Sequence, residues 1–251
     1  MAKVDPSRRI EILGTGVDPV TLEEAVIICA GFAESGAPHV VITVNPEAVE
    51  NARRDAEFAR VLREADLLVA DGAGIVWASR RLGMPVPERV AGIDLLLRLS
   101  AVAASHGYGV YLLGARPGVA SNAAHALAAQ YPGLRIAGTM HGYFQPSEEA
   151  GVLAGIRRAS PHVLFVGTGS PRQEKWMARH REALNVPVAM GVGGSFDVLS
   201  GEVRRAPLWM RSSGLEWLYR LGTQPARWRR SLSLAAFALR VIMTGQRRVR
   251  T

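Results

Sequence analysis

The chain has 251 residues, 48% hydrophobic and 21% charged, which is enough to bury a sizeable core and unlike the composition of a disordered protein. A single cysteine, Cys29, excludes an intramolecular disulfide framework and a cysteine-based zinc cluster; set in the apolar run Ala25 to Ile28, it reads as a buried hydrophobe. Residues 1–203 carry 19 Lys/Arg against 21 Asp/Glu, net −2, whereas residues 204–251 carry 11 Arg against Glu216 alone, net +10. The asymmetry divides the chain into a body, 1–203, and an Arg-rich appendage, 204–251, and it points to phosphate contacts. No apolar secretion core follows Met1, and no run reaches the ~18 apolar residues of a membrane span, so a cytoplasmic, soluble protein is expected.

Along the body, short β-branched runs alternate with longer helical patterns. Thr21 followed by Glu24 is a capping box that opens a helix near 21–34. Strands are expected at 40–44, 67–70, 110–113, 134–137, 163–166 and 186–190, with Pro187 demoting the last to a strand beginning. Helices are expected near 46–64, 74–82, 93–106, 117–130, 147–159 and 171–184. Strands that are apolar throughout and separated by helices predict a mostly parallel sheet covered on both faces. The expected fold is therefore α/β, Rossmann-like and doubly wound, with ligands beyond the carboxyl ends of the strands and a basic helical C-terminal appendage.

Those strand ends carry small-residue turns. They read Thr43-Val44-Asn45-Pro46, Asp71-Gly72-Ala73-Gly74, Gly114-Ala115-Arg116-Pro117-Gly118, Gly167-Thr168-Gly169-Ser170 and Gly191-Val192-Gly193-Gly194-Ser195. Turns of this kind opening onto helix N-termini present backbone N–H groups to an anion, which predicts a nucleotide or sugar-nucleotide site. The dinucleotide fingerprint is excluded: the five Gly-x-Gly pairs have Pro19, Trp77, Leu112, Arg172 and Phe196 where a small residue is needed. No Walker lysine, no His-Glu-x-x-His, no Gly-x-Ser-x-Gly elbow and no Asp-x-Asp metal pair occurs. Hydrolases and metal enzymes recede accordingly.

Several segments, in order, carry a resemblance to a known family. They are Thr43 to Pro46, Ala70 to Val76, Glu88 to Asp94, His141-Gly142-Tyr143-Phe144, Gly167 to Glu174, Gly191 to Asp197, Arg205-Ala206-Pro207 and Gly214 to Leu221. Over roughly residues 10–232 the chain resembles the WecG/TagA/CpsF glycosyltransferases, which build bacterial surface polysaccharides. The stretch Gly222 to Arg227 is less acidic than the family pattern and has one arginine fewer. The resemblance implies an inverting transfer from a UDP-sugar to an undecaprenyl-diphosphate-linked saccharide at the cytoplasmic face of the membrane. It implies no cofactor and no metal, in agreement with the missing Asp-x-Asp. The implied donor is UDP-N-acetylmannosamine, with its uronic acid or UDP-glucose as alternatives.

Within that reading Asp71 is the expected general base, because an inverting transfer needs a carboxylate to take the acceptor proton. Asp71 also suits a helix N-cap. Thr43 and Asn45 are expected to bond sugar hydroxyls, although Asn before Pro equally starts a turn. Gln173 is expected to hold the donor sugar or its diphosphate, near Gly169 and Gly193, with Glu174 beside it structural. Arg89 is a diphosphate contact or an ordinary ion pair. Tyr143 and Asp197 suit uridine recognition, Tyr143 serving otherwise to close the core.

In the appendage, Arg220, Arg227 and Arg230 recur at spacings of seven and three and are expected to neutralise the leaving diphosphate. The apolar segment 232–243, with Phe237 at its centre, is flanked by Arg229-Arg230 and Arg247-Arg248. It is expected to lie on an anionic membrane surface rather than on the body or on a second subunit, so a homo-oligomer stays open. Two readings from other classes compete. One is a noncatalytic sugar-nucleotide sensor. The other is a nucleic-acid-binding protein, disfavoured because the tail holds no recognised module and the body is slightly acidic.

Overall fold

A computed structural model describes residues 6–212, 218–219, 222 and 228–248. A short antiparallel hairpin, β1 (Ile10–Ile12) and β2 (Thr15–Val17), precedes helix α1 (Leu22–Ser35). The expected capping box is present at α1: the Thr21 hydroxyl accepts from the Glu24 N–H at 3.2 Å, and the Glu24 carboxylate accepts from the Thr21 N–H at 2.8 Å. The body continues as β3 (His39–Val44), α2 (Pro46–Ala52), α3 (Ala56–Glu64), β4 (Leu67–Ala70), α4 (Ala73–Arg81) and α5 (Gly92–His106). Then come β5 (Gly109–Gly114), α6 (Val119–Gln130), β6 (Arg135–Met140), α7 (Glu149–Ala159), β7 (Val163–Gly167), α8 (Arg172–Leu184) and β8 (Val188–Gly191). Helices α9 (Ser195–Leu199), α10 (Leu208–Ser212) and α11 (Trp228–Arg248) follow.

Strands β3 to β8 form one sheet in the order β4-β3-β8-β7-β5-β6, parallel at every pairing. Successive side chains alternate between faces, and both faces are apolar, so the sheet separates two cores. Ile42, Leu68, Leu113 and Val166 point into one, where α2, α3, α4, α7, α8 and α11 supply the facing residues. Val41, Val69, Leu112 and Phe165 point into the other, covered by α1, α5, α6 and α9. Cys29 sits in this second core, and burial pushes its thiol up to about 12, as expected of a packing residue.

Differences from the sequence reading have local causes. The single helix expected over 46–64 is two, because Asp55 takes an extended backbone and its carboxylate accepts from the Phe58 N–H at 3.0 Å, starting α3 afresh. The segment after Pro187 begins its strand at Val188, as the proline requires.

The appendage holds the main correction. Phe237, placed by sequence on a membrane-facing surface, is 1% exposed and belongs with Val241 to the core that α2 and α4 also line. The Arg240 guanidinium adds an ion pair to buried Glu50 of α2 at 3.1 Å. One face of α11 is therefore docked on the body, because a helix with bulky apolar residues at 237 and 241 buries that stripe wherever the body offers an apolar groove.

The sheet edges are finished differently. Along the outer side of β4, the Leu68 N–H donates to buried Asp18 at 2.7 Å, the Leu68 carbonyl accepts from the Asp18 N–H at 2.8 Å, and the Ala70 carbonyl accepts from the Val90 N–H at 2.8 Å. Asp18 is held in turn by the Arg9 guanidinium at 3.0 Å. At the other edge, the β5–β6 register slips between Val110 and Tyr111.

Candidate active site

The carboxyl ends of β3, β4, β5, β7 and β8 open into one cleft of about 570 Å³, at the edge where the sequence places the small-residue turns. Among the expected residues, Thr43, Asn45, Asp71, Arg89, Tyr143, Gly169, Gln173, Gly193 and Asp197 all line it. Arg220 and Arg227 lie outside the described residues, and Arg230 falls in the first turn of α11.

Asp71 is fixed by backbone. Its N–H donates to the Val44 carbonyl at 2.8 Å, extending the β3–β4 ladder one residue past the strand end. The chain then turns sharply at Gly72, whose φ of +87° lies in the left-handed region open to glycine. The next glycine is required by proximity: a Cβ on Gly74 would sit 2.6 Å from the Pro46 ring. Asp71 thus stands on a rigid turn between the starts of α2 and α4. It does not cap α4, whose N-cap is Gly72 with no side-chain bond.

Asn45 is the N-cap of α2, its carbonyl oxygen accepting from the Ala48 N–H at 2.9 Å. Turn chemistry and cleft lining therefore coincide at this residue. Thr43 turns its methyl toward Gly92 at the start of α5, where an added Cβ would lie 3.1 Å away. Arg89 reaches the cleft because its neighbour Val90 is buried and bonded to the end of β4.

Gln173 lines the cleft floor, yet its amide is engaged within the protein at both ends. The carbonyl oxygen accepts from the N–H groups of Gly169 at 3.2 Å and Gly193 at 3.1 Å, and the amide nitrogen donates to Glu174 at 2.8 Å. One side chain thereby ties the β7 loop to the β8 loop. The fit depends on Gly191, where a Cβ would lie 2.7 Å from the Gln173 amide nitrogen.

Tyr143 is 67% exposed at the rim and does not close the core. That task falls to the next residue: Phe144 packs edge-on against Trp176 at 6.4 Å and lies under the Arg172 guanidinium at 5.8 Å. Tyr143 is left as an aromatic face beside the cleft.

The structure adds lining residues that had no site role in the sequence reading, Arg116, Thr168, Ser170, Arg172 and, from α11, Leu234, and it brings Glu174, expected to be structural, into the lining as well. Their common signal was adjacency to a strand end, except for Leu234, which enters only because α11 docks. The starts of α2, α4 and α8 all face the cleft, and the unpaired N–H groups of such first turns favour an anion. Among the described residues no three His, Cys, Asp or Glu side chains converge as a metal site requires. The arrangement suits a ligand with a negatively charged centre, an aromatic end near Tyr143 and a reacting group near Asp71.

The model of the family described as "Glycosyl transferase WecG/TagA/CpsF family" matches residues 10–251. The chain is 39% identical over 203 residues to the N-acetylglucosaminyldiphosphoundecaprenol N-acetyl-beta-D-mannosaminyltransferase of Bacillus subtilis (strain 168), covering 81% of this chain and 78% of that one. It is 36% identical over 214 residues to the protein of the same name from Staphylococcus aureus (strain NCTC 8325), with 84% of each chain covered.

Proposed function

The chain belongs to the WecG/TagA/CpsF glycosyltransferase family, and from that membership and the geometry of the cleft we propose that it transfers a hexosamine from a UDP-sugar to a polyprenyl-diphosphate-linked saccharide, with inversion. N-acetylmannosamine is the favoured sugar, because the relatives above are named for it. The observation that carries the reading is Asp71, a carboxylate on a rigid turn in a cleft faced by helix starts. In this reaction the acceptor hydroxyl attacks the anomeric carbon while Asp71 takes its proton. The bond to the diphosphate oxygen breaks, and UDP leaves with the electron pair. First-turn N–H groups of α4 and α8, with Arg89, stabilise the charge that develops there, so no divalent metal and no cofactor is required. Tyr143 and Asp197 serve the uridine, and Thr43 and Asn45 serve sugar hydroxyls. Arg220, Arg227 and Arg230 supply further positive charge from the appendage.

The lipid-linked acceptor places the reaction at a membrane surface. No helix among the described residues is long and apolar enough to cross a membrane. The outer face of α11, however, exposes Leu239 (60%) and Met243 (54%) on a helix rich in arginine, a combination suited to an anionic bilayer. We read the protein as peripheral on the cytoplasmic leaflet.

The test offers a panel of UDP-sugars together with a lipid-diphosphate N-acetylglucosamine acceptor and detects UDP release and the disaccharide. UDP-N-acetylmannosamine should turn over fastest, and Asp71→Asn should lower turnover by roughly 10²–10⁴-fold with UDP affinity kept. Binding without turnover for every donor would mark a sensor instead. Equal loss of UDP binding in Asp71→Asn would make Asp71 a structural residue.

A further inference from the structure

Glu174 is a carboxyl group in an unusual position. It is 2% exposed, it lines the cleft, and among the described residues no cation pairs with it. Oε1 accepts from the Gln173 amide at 2.8 Å, while Oε2 makes no well-formed hydrogen bond, although Ser170 and the Glu174 N–H lie close enough to act on the carboxyl. Two hydroxyls of the same strand-to-helix turn are buried as well: Thr168 Oγ1 has no hydrogen-bond partner, and Ser170 Oγ, without a well-formed bond, lies close enough to act as a donor on the Glu174 carboxyl. Three under-bonded polar atoms within seven residues, all at the cleft floor and at the start of the 13-residue α8, have bonding capacity to offer a ligand there.

The charges around the start of α8 settle which form of the acid fits. Lys175 is bonded to Asp55 and Glu57 of the neighbouring helix, each at 2.7 Å. The Arg172 guanidinium lies over Phe144, and Glu149 of α7 accepts from the Trp176 indole at 2.8 Å with His180 beside it. Asp71, Arg89 and Asp197 share the cleft, and Glu47 at the start of α2 acts on Glu174 as a like charge. Burial pushes the Glu174 carboxyl above the usual glutamate range, and Glu47 pushes the same way, outweighing the opposing hydrogen bonds. An ionised carboxylate there would be buried, with no cation beside it among the described residues, and would face an anion with the wrong sign. A protonated one is a donor and can offer its O–H to a ligand at the cleft floor, beside the buried Thr168 hydroxyl.

Resting on the reading of the cleft as a nucleoside-diphosphate site, we propose that Glu174 is a neutral carboxylic acid that orients Gln173 through one oxygen and donates a hydrogen bond from the other to a phosphate oxygen of the bound nucleotide. The two roles are connected. Because Glu174 accepts from the Gln173 amide nitrogen, the Gln173 carbonyl must face Gly169 and Gly193, which holds the phosphate-facing loops in register. Ionisation of Glu174 removes the donor and sets a negative charge beside the diphosphate, so nucleotide affinity falls as pH rises through its titration.

The experiment pairs infrared difference spectroscopy of the ligand-free protein, wild type minus Glu174→Gln, with calorimetric UDP binding over the same pH range. A protonated-carboxyl band is expected at neutral pH, lost on raising pH, with wild-type UDP affinity falling about tenfold per pH unit beyond that point. Glu174→Leu should bind UDP about tenfold more weakly at neutral pH. Glu174→Gln should restore most of that affinity and remove the alkaline fall; UDP's own ionisation is common to all the proteins and cancels. Ser170→Ala, which leaves both groups of the Gln173–Glu174 contact in place, should move the infrared titration to higher pH. A carboxylate band at neutral pH, or parallel affinity curves for wild type and Glu174→Gln, would overturn the proposal. Absence of UDP binding by the wild type would sink the nucleotide reading of the cleft and the phosphate contact with it, while the infrared band still decides the protonation state.

Discussion

Replacing Phe237 with alanine tests whether α11 is part of the folded body. The ring is 1% exposed and sits one turn before Val241 in the core shared with α2 and α4. Truncating a fully buried phenylalanine costs about 3–5 kcal/mol, the transfer term plus the cavity it leaves. If α11 unfolds with the body, that loss lowers the melting temperature by on the order of 10 °C for a chain of this size. If α11 opens by itself, the loss is confined to amide protection over 228–248, and the main transition hardly moves. Hydrogen exchange read by mass spectrometry together with urea denaturation separates these outcomes. In either case turnover should fall, because Leu234 on the same helix walls the cleft beside Gly74. The comparison is Leu239→Asp on the outer face, 60% exposed, which should weaken binding to anionic vesicles and leave stability within about 0.5 kcal/mol. Unchanged exchange and unchanged melting in Phe237→Ala would refute the docking of this helix.

Asp18→Ala should destabilise the protein by about 3–5 kcal/mol in urea denaturation, since it leaves the Leu68 N–H without its acceptor and takes the carboxylate partner from the part-buried Arg9 guanidinium, which keeps the Arg63 and Ala65 carbonyls. Glu174 makes stability depend on pH. Its folded carboxyl titrates above the ordinary value, so its contribution is complete below the unfolded range near 4.5 and is lost as pH rises through the folded value, at up to about 1.4 kcal/mol per unit. Denaturation of wild type and Glu174→Gln from pH 4 upward should differ by this slope, the share from buried Asp18, whose carboxyl burial also pushes up, being common to both. Sugar transfer should survive excess chelator; recovery of activity only on adding magnesium or manganese would contradict the metal-free reading.

The parallel sheet was legible because β3, β4, β5, β7 and β8 are short, almost wholly apolar runs, and a sheet covered on both faces leaves no polar face there to blur the pattern. Asp71 was legible as a carboxylate at a strand end followed by small residues. The β1–β2 hairpin was not, since three-residue strands are too short to show a period. The restart at Asp55 had a signal, an aspartate three residues before Phe58, hidden by the apolar continuity on either side. Periodicity in α11 announced an apolar stripe but not what the stripe would meet, and the groove between α2 and α4 exists only in three dimensions. Gln173 was legible as a site residue, but its role in tying two loops was not. That role depends on Gly169 and Gly193 being brought together by the pairing of β7 with β8, distant in the chain from one another.

The finishing of the sheet edges has a consequence for how copies of this chain can meet. A parallel strand presents its outer N–H and C=O groups as a template, and a second molecule can add to them indefinitely. On β4 those groups at Leu68 and Ala70 are already occupied by Asp18 and Val90, and on β6 the slipped register interrupts the ladder a newcomer would have to copy. In-plane growth is therefore blocked at Leu68 and Ala70 of β4 and disturbed by the slip at β6, which favours copies meeting through their helices over strand added to strand.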